Sequence, residues 1–232
     1  MEVFHPTSIT FYSVSLAIPI SGMFIISRGF SGEKGAASRI LIWLLYCALF
    51  MIGLAFSKEL PLSGLRDYQA FLLSVFAIHF AFFLLLFLAS KHTLDLLPDK
   101  WLTFFQVLRL PLEFCIYGMV NLGLLNSDLT FIGYNGDIVF ALLAPVIAMY
   151  FYSNHSIGKF YPFAFHILGI FSLVWLLYLG LYPIGIMEKE GFLLSNPTWF
   201  KYPWLWHWGF FIPVFILAHS ISIFRLIKKP SH

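Results

Sequence analysis

The chain has 232 residues, 60% hydrophobic, 20% aromatic and only 11% charged, with a formal net charge of +3. A soluble domain carries about 25% charged residues, so this composition excludes a protein that faces water on all sides. Twenty-eight Phe exceed what one globular core buries, which leaves lipid as the solvent.

A helix crosses ~30 Å of hydrocarbon with roughly 20 apolar residues. At that length the expected spans are about 8–27, 40–57, 69–90, 101–125, 137–153, 160–186 and 204–227, the second and fifth being short. The fold class is therefore all-α: a polytopic seven-transmembrane helix bundle, with 1–232 as a single domain because no loop is long enough to fold separately. "MEVFHPTSIT" has no Lys or Arg before the apolar run and no clear small-residue cleavage site. The first span is thus expected to be a membrane helix and not a cleaved signal peptide.

Loop charges orient the bundle. With seven spans, one side holds Lys58, Arg66, Lys189 and Lys201, and the other holds Arg28, Lys34, Arg39, Lys91, Lys100, Lys159, Arg225, Lys228 and Lys229. Positive charge stays in the cytoplasm, so the N-terminus is expected outside and the C-terminus inside. "NPTWFKYPWLWHWGFF" (196–211) brings Trp199, Trp204, Trp206 and Trp208 to the start of the last span, where an interfacial aromatic belt is expected. The alternative for these rings is an aromatic ligand cage.

The fourth span carries the chemistry. Gln106, Arg109, Glu113, Tyr117 and Asn121 are spaced 3, 4, 4 and 4, which puts them on one helical face. A charge at mid-membrane costs ~2.5–3.5 kcal/mol on insertion scales. Arg109 and Glu113 at i,i+4 are expected to neutralise each other, with the ridge facing the bundle interior. Pro111, between them, cannot donate to the Val107 carbonyl and disfavours a straight helix. Freed carbonyls are also expected near Pro19, Pro145 and Pro213.

Arg109 lies eight residues past Trp101, roughly 12 Å along the helix. His166 and His219 fall at similar depth on spans six and seven, and His79 lies near mid-depth on span three. In the outer loop, Gly133, Asn135, Gly136 and Asp137 signal a tight turn. Asn135 or Asp137 can cap span five, or Asp137 can close the outer end of the ridge near Asn121. Cys47 and Cys115 lie in apolar runs without CxxC spacing and read as small buried hydrophobes.

The set QxxRxxxE (Gln106, Arg109, Glu113), then GxNxD (Gly133, Asn135, Asp137), then Pro145 and the "FRLI" exit resembles a group of uncharacterised integral membrane proteins common in Bacteroidetes. The resemblance covers most of 101–228. It implies the topology and a bacterial inner-membrane location, and it carries no activity.

Several functions are excluded by the residues. Residues 204–227 contain no lysine for a retinal Schiff base, and no HExxH or GxSxG is present. The positive charge is spread over loops, so nucleic acid is not an expected partner. The lipid bilayer is, with an oligomer or partner subunits as further readings. The leading expectation is a ligand site of Gln106, Arg109, Glu113, Tyr117, Asn121, His79, His166, His219 and Asp137, binding or transporting a small molecule, ion or proton. In that site Arg109 would hold an anionic or carbonyl group, and Glu113 would titrate. The alternatives are a haem-binding redox protein with two of His79, His166 and His219 as axial ligands, a lipid-modifying enzyme with Glu113 as acid/base and a His partner, and a structural subunit.

Overall fold

The computed structural model describes residues 6–30, 36–56, 70–71, 73–79, 81–82, 95–125, 127–152, 159–187 and 206–228. Its long elements are all helices: α1 (Pro6–Gly29), α2 (Ala36–Phe56), α3 (Asp99–Asn121), α4 (Asp137–Phe151), α5 (Phe160–Met187) and α6 (His207–Lys228). Residues 73–79 are also helical.

Five of these helices, α1, α2, α3, α5 and α6, are long and apolar enough to cross a membrane. Their outward surfaces expose Leu16, Leu41, Leu45, Leu49, Phe56, Phe114, Phe171 and Ile227. An apolar surface on this scale suits lipid and not water. Half of the expected third span, 69–90, lies outside the described residues. The expected fifth span is the shorter helix α4. Its 15 residues (10 α-helical, then 5 in a π turn) reach about 22 Å, less than the ~30 Å of hydrocarbon.

The reason α4 is short lies in the connection before it. α3 ends in a Schellman motif: Gly123 takes φ +67°, Leu124 N–H bonds Met119 O at 2.9 Å, and Gly123 N–H bonds Val120 O at 2.8 Å. The chain then folds back into the bundle, burying Thr130, Asn135 and Asp137. Irregular backbone at this depth must satisfy its own polar groups. Thr130 does so from both ends: its hydroxyl and N–H bond Ser127 O at 2.8 and 3.0 Å, and its carbonyl accepts from Gly133 and Asn135 at 2.9 and 3.2 Å. A Cβ on Gly133 would stand 2.5 Å from Ser127 O, so glycine is required for the fold-back.

Prolines set the local helix type. Pro111 leaves the Val107 carbonyl without its usual donor, and the chain runs as a tighter 3₁₀ turn over Phe105–Leu108 just ahead of it. Pro213 likewise frees the Gly209 carbonyl, inside the π turn His207–Phe211.

The centre of the bundle is shared. α6 is the most enclosed helix, with Trp208, Phe210, Phe211 and Phe215 almost wholly buried, and α3 is next. Trp206 and Trp208 therefore turn inward and do not form an interfacial belt; Trp206 stacks on Phe11 and donates Nε1–H to Met51 O at 3.1 Å. Trp199 and Trp204 lie outside the described residues. Cys47 and Cys115 are free and buried, as expected.

The ends of the helices gather. Gly29 sits against the Leu96 backbone, Phe24 packs edge-on against Trp101, and Arg225 pairs with Asp99. These contacts collect the ends of α1, α3 and α6 at one side of the bundle.

α1 and α2 meet through Gly22, where the Trp43 indole occupies the space of a side chain while its Nε1–H bonds Pro19 O at 3.0 Å. Gly22→Ala is expected to cost about 1–3 kcal/mol through overpacking, read as a lower melting temperature in detergent. An unchanged melt would show that Trp43 is not held there.

Candidate functional site

The buried polar residues of α3, α4, α5 and α6 form one connected group. Arg109, 1% exposed, lies at the start of the second half of α3, and Asp137, 2% exposed, is the first residue of α4. Arg109 Nε donates to Asp137 Oδ2 at 2.8 Å, and Nη2 ion-pairs with Oδ1. The carboxylate is thus held side-on by the guanidinium fork. It also sits at a helix N-terminus, which favours negative charge, and accepts from Ser172 Oγ at 2.8 Å. The Phe140 ring lies 5.6 Å from the guanidinium carbon.

The expected Arg109–Glu113 pair is therefore corrected. Spacing along one helix places the two charges on the same face, but the rigid α-helical backbone directs the guanidinium across to α4. Glu113, 1% exposed, stays within electrostatic reach of Arg109 without an ion-pair contact. Its Oε1 accepts from Asn135 Nδ2 at 2.8 Å, and its Oε2 has no hydrogen-bond partner among the described residues. Asn135 also donates to Leu129 O at 3.1 Å, and its Oδ1 accepts the Asp137 N–H at 2.9 Å. Asn135 thus satisfies the first N–H of α4 from the residue before the N-cap Gly136, and Asp137 closes on Arg109 and not on Asn121.

A chain of rings leads away from Arg109. Nη1 donates to His219 Nε2 at 3.1 Å, and His219 Nδ1 lies 2.8 Å from His166 Nδ1. His166 Nε2 lies 3.1 Å from both Thr103 Oγ and Tyr152 Oη. Arginine has no acceptor, so His219 Nε2 must accept, and a neutral His219 carries its proton on Nδ1. That proton points at His166 Nδ1, which must accept in turn, leaving the His166 proton on Nε2, toward Thr103 and Tyr152. Thr103 Oγ donates to Asp99 O at 2.9 Å. Beyond it, Arg225 Nε donates to the Asp99 carboxylate at 2.5 Å, Arg225 Nη1 reaches the Asp95 carbonyl, and Lys228 pairs with the Asp95 carboxylate.

The ring of His219 fits because residue 169 is glycine: a Cβ there would collide with the imidazole. His207, buried on α6, lies within electrostatic reach of Arg109.

Of the residues singled out from sequence, Arg109, Asp137, His166 and His219 meet directly, and Glu113 joins them through Asn135. Gln106 is buried beside them and donates to Phe215 O at 3.4 Å. Tyr117 is half-buried and packs on Phe131, and Asn121 is exposed at the end of α3. His79 belongs to a separate aromatic cluster with Tyr46 and Phe50, its Nδ1 2.8 Å from Val75 O. Thr103, Tyr152, Ser172 and the Asp99–Arg225 pair were missed. Thr103 alone had a local signal, one turn before Gln106 on the same helix.

The histidines do not fit a haem. His166 and His219 hydrogen-bond to each other, which leaves no room for an iron and its macrocycle between them, and His79 lies in the separate aromatic cluster. Among the described residues, no group of three or more His, Cys, Asp or Glu could hold a metal ion. Glu113 has an amide, that of Asn135, as its direct partner and not a histidine. No protein-family model matches the chain, and no curated protein or solved structure matches it either.

Removing one member of a buried ion pair costs about 3–5 kcal/mol, because the other charge is left uncompensated. Asp137→Ala is expected to lower stability by that amount, and Arg109→Leu/Asp137→Leu to recover part of it. Thermal melts of the purified variants check this. Additive losses in the double variant would show that the two residues are not coupled. Gly169→Ala is expected to cost about 1–3 kcal/mol despite the better helix propensity of alanine.

Proposed function

We propose that this chain is a seven-span membrane bundle that transfers protons through its buried Arg109–His219–His166 chain. The observation that carries this reading is the unbroken run of hydrogen-bonding groups from Asp137 through Arg109, His219 and His166 to buried Thr103 and half-buried Tyr152. Chains of ionisable side chains within membrane helices are the material of proton relays. Imidazole accepts a proton at one ring nitrogen and releases one from the other.

The tautomers give the relay a direction. A proton arriving at His219 Nε2 releases the Nδ1 proton to His166 Nδ1, and His166 releases its Nε2 proton toward Tyr152 or Thr103. The guanidinium beside His219 Nε2 repels the incoming proton, so Arg109 must move off that nitrogen for the transfer to begin. Binding or transport of a small molecule or another ion coupled to the proton would draw on the same groups.

The orientation proposed is N-terminus outside and C-terminus inside, in a bacterial inner membrane. The support is the loop asymmetry of nine Lys/Arg against four together with the resemblance carried by QxxRxxxE and GxNxD. The relay would then open at the cytoplasmic end, where Asp99, Arg225, Asp95 and Lys228 meet.

A second reading has its own observation: Asp137 occupies the side-on face of Arg109, as expected of a lock that only fixes helix packing. Proteoliposomes holding a pH-sensitive dye separate the two. Under a potassium diffusion potential, the wild-type protein is expected to pass protons above the level of empty vesicles. His166→Phe is expected to abolish that flux while still melting cooperatively, at a cost of about 1–3 kcal/mol for the His219 N–H left unpaired. Absence of flux in the wild type, or full flux in His166→Phe, would leave the lock.

A further inference from the structure

We infer that Glu113 holds one exchangeable proton, and that the proton sits on Oε2. The inference deepens the relay reading and rests on it for its functional meaning, though the protonation site stands on separate geometry.

The buried group contains two guanidiniums, Arg109 and Arg225, and three carboxyl groups, Asp99, Asp137 and Glu113; Arg225 pairs with Asp99. Asp137 takes the Arg109 guanidinium side-on. His219 is the acceptor of an Arg109 N–H and His166 the acceptor of a His219 N–H, so neither ring supplies a compensating charge in this arrangement. The other polar groups of this region are His207 on α6, within electrostatic reach of Arg109, Gln106 on α3 itself, Ser172 on α5 and Asn135 in the fold-back. An ionised Glu113 would leave the interior with a net negative charge, whose desolvation is not repaid. The neutral acid removes that charge.

Hydrogen bonding then chooses the oxygen. The Asn135 amide is locked in orientation, because its Oδ1 accepts the Asp137 N–H and its Nδ2 faces both Leu129 O and Glu113 Oε1. Glu113 Oε1 is consequently an acceptor in either protonation state. Oε2 is buried without a partner among the described residues. A buried polar atom in that position is normally satisfied by a water molecule or a ligand, so its O–H is the group presented to a water or a transported solute. On release the O–H bond breaks, the proton leaves on that acceptor, the electron pair stays on the carboxylate, and the Asn135 bond to Oε1 strengthens. Asn135 is a positioning residue here: it links Glu113 to the N-terminus of α4, and hence to the partner of Arg109.

Infrared spectroscopy of the full chain in lipid at neutral pH reads this directly. The expected result is a carbonyl-stretch band of a protonated carboxylic acid. It should shift when glutamate is isotope-labelled at the carboxyl carbon and vanish in Glu113→Gln. Asn135→Ala should move the band to higher frequency by freeing Oε1. A wild-type spectrum without a glutamate-sensitive band, or one whose band follows aspartate labelling, overturns the inference. The labelling experiment needs no variant, so a misfolded Glu113→Gln does not blunt it. A glutamate band present with no proton flux would sink the relay alone; flux without the band would sink only the assignment to Glu113.

Discussion

The side-on pairing of Arg109 with Asp137 is the constraint around which the rest of the interior is arranged. A guanidinium in a low-dielectric bundle is tolerable only with a carboxylate in contact, and α3 itself offers none at the right angle. The carboxylate comes instead from the first turn of α4. To deliver it, the connection after α3 must fold back into the bundle, which explains the Schellman end at Gly123, the close approach at Gly133 and the truncated length of α4. One electrostatic requirement thus accounts for the most irregular stretch of the described chain.

The same guanidinium dictates the state of the histidines. Because it can only donate, it sets the His219 tautomer, and through the short contact between the two rings it sets that of His166. The order propagates without any charge on either ring. It ends at the hydroxyls of Thr103 and Tyr152, one step from the ion pairs that tie α3 to α6. Gly169 belongs to this arrangement as firmly as the polar residues do, since its missing Cβ is the space in which the His219 ring lies.

Rigidity and chemistry pull against each other at Arg109. A pair that pins α3 to α4 stabilises the fold most when it never opens, whereas a relay through His219 requires the guanidinium to shift. The 3₁₀ turn over Phe105–Leu108, created by Pro111, places a change of helix type immediately before Arg109. Such mid-helix turns mark positions where a helix can yield locally. Arg109 therefore sits immediately after the change of helix type within α3.

The sequence by itself determined the helical class, the apolar exterior and the fact that Arg109 and Glu113 must face inward, because composition and a 3.6-residue period act locally and leave little alternative in lipid. It also singled out His166, His219 and Asp137, since polar residues in apolar runs stand out against their neighbours. The partner of Arg109 was decided only by the tertiary structure. An i,i+4 glutamate is near in sequence and right in charge, but the direction of a side chain across a bundle depends on which helix packs there and at what depth. Tyr152 and Ser172 were invisible for the same reason: a hydroxyl in an apolar helix is unremarkable until another helix brings an acceptor or a ring to within hydrogen-bond distance. Contacts between residues 28, 63 and 110 positions apart, such as Arg109 with Asp137, Thr103 with His166 and Arg109 with His219, exist only because the bundle closes.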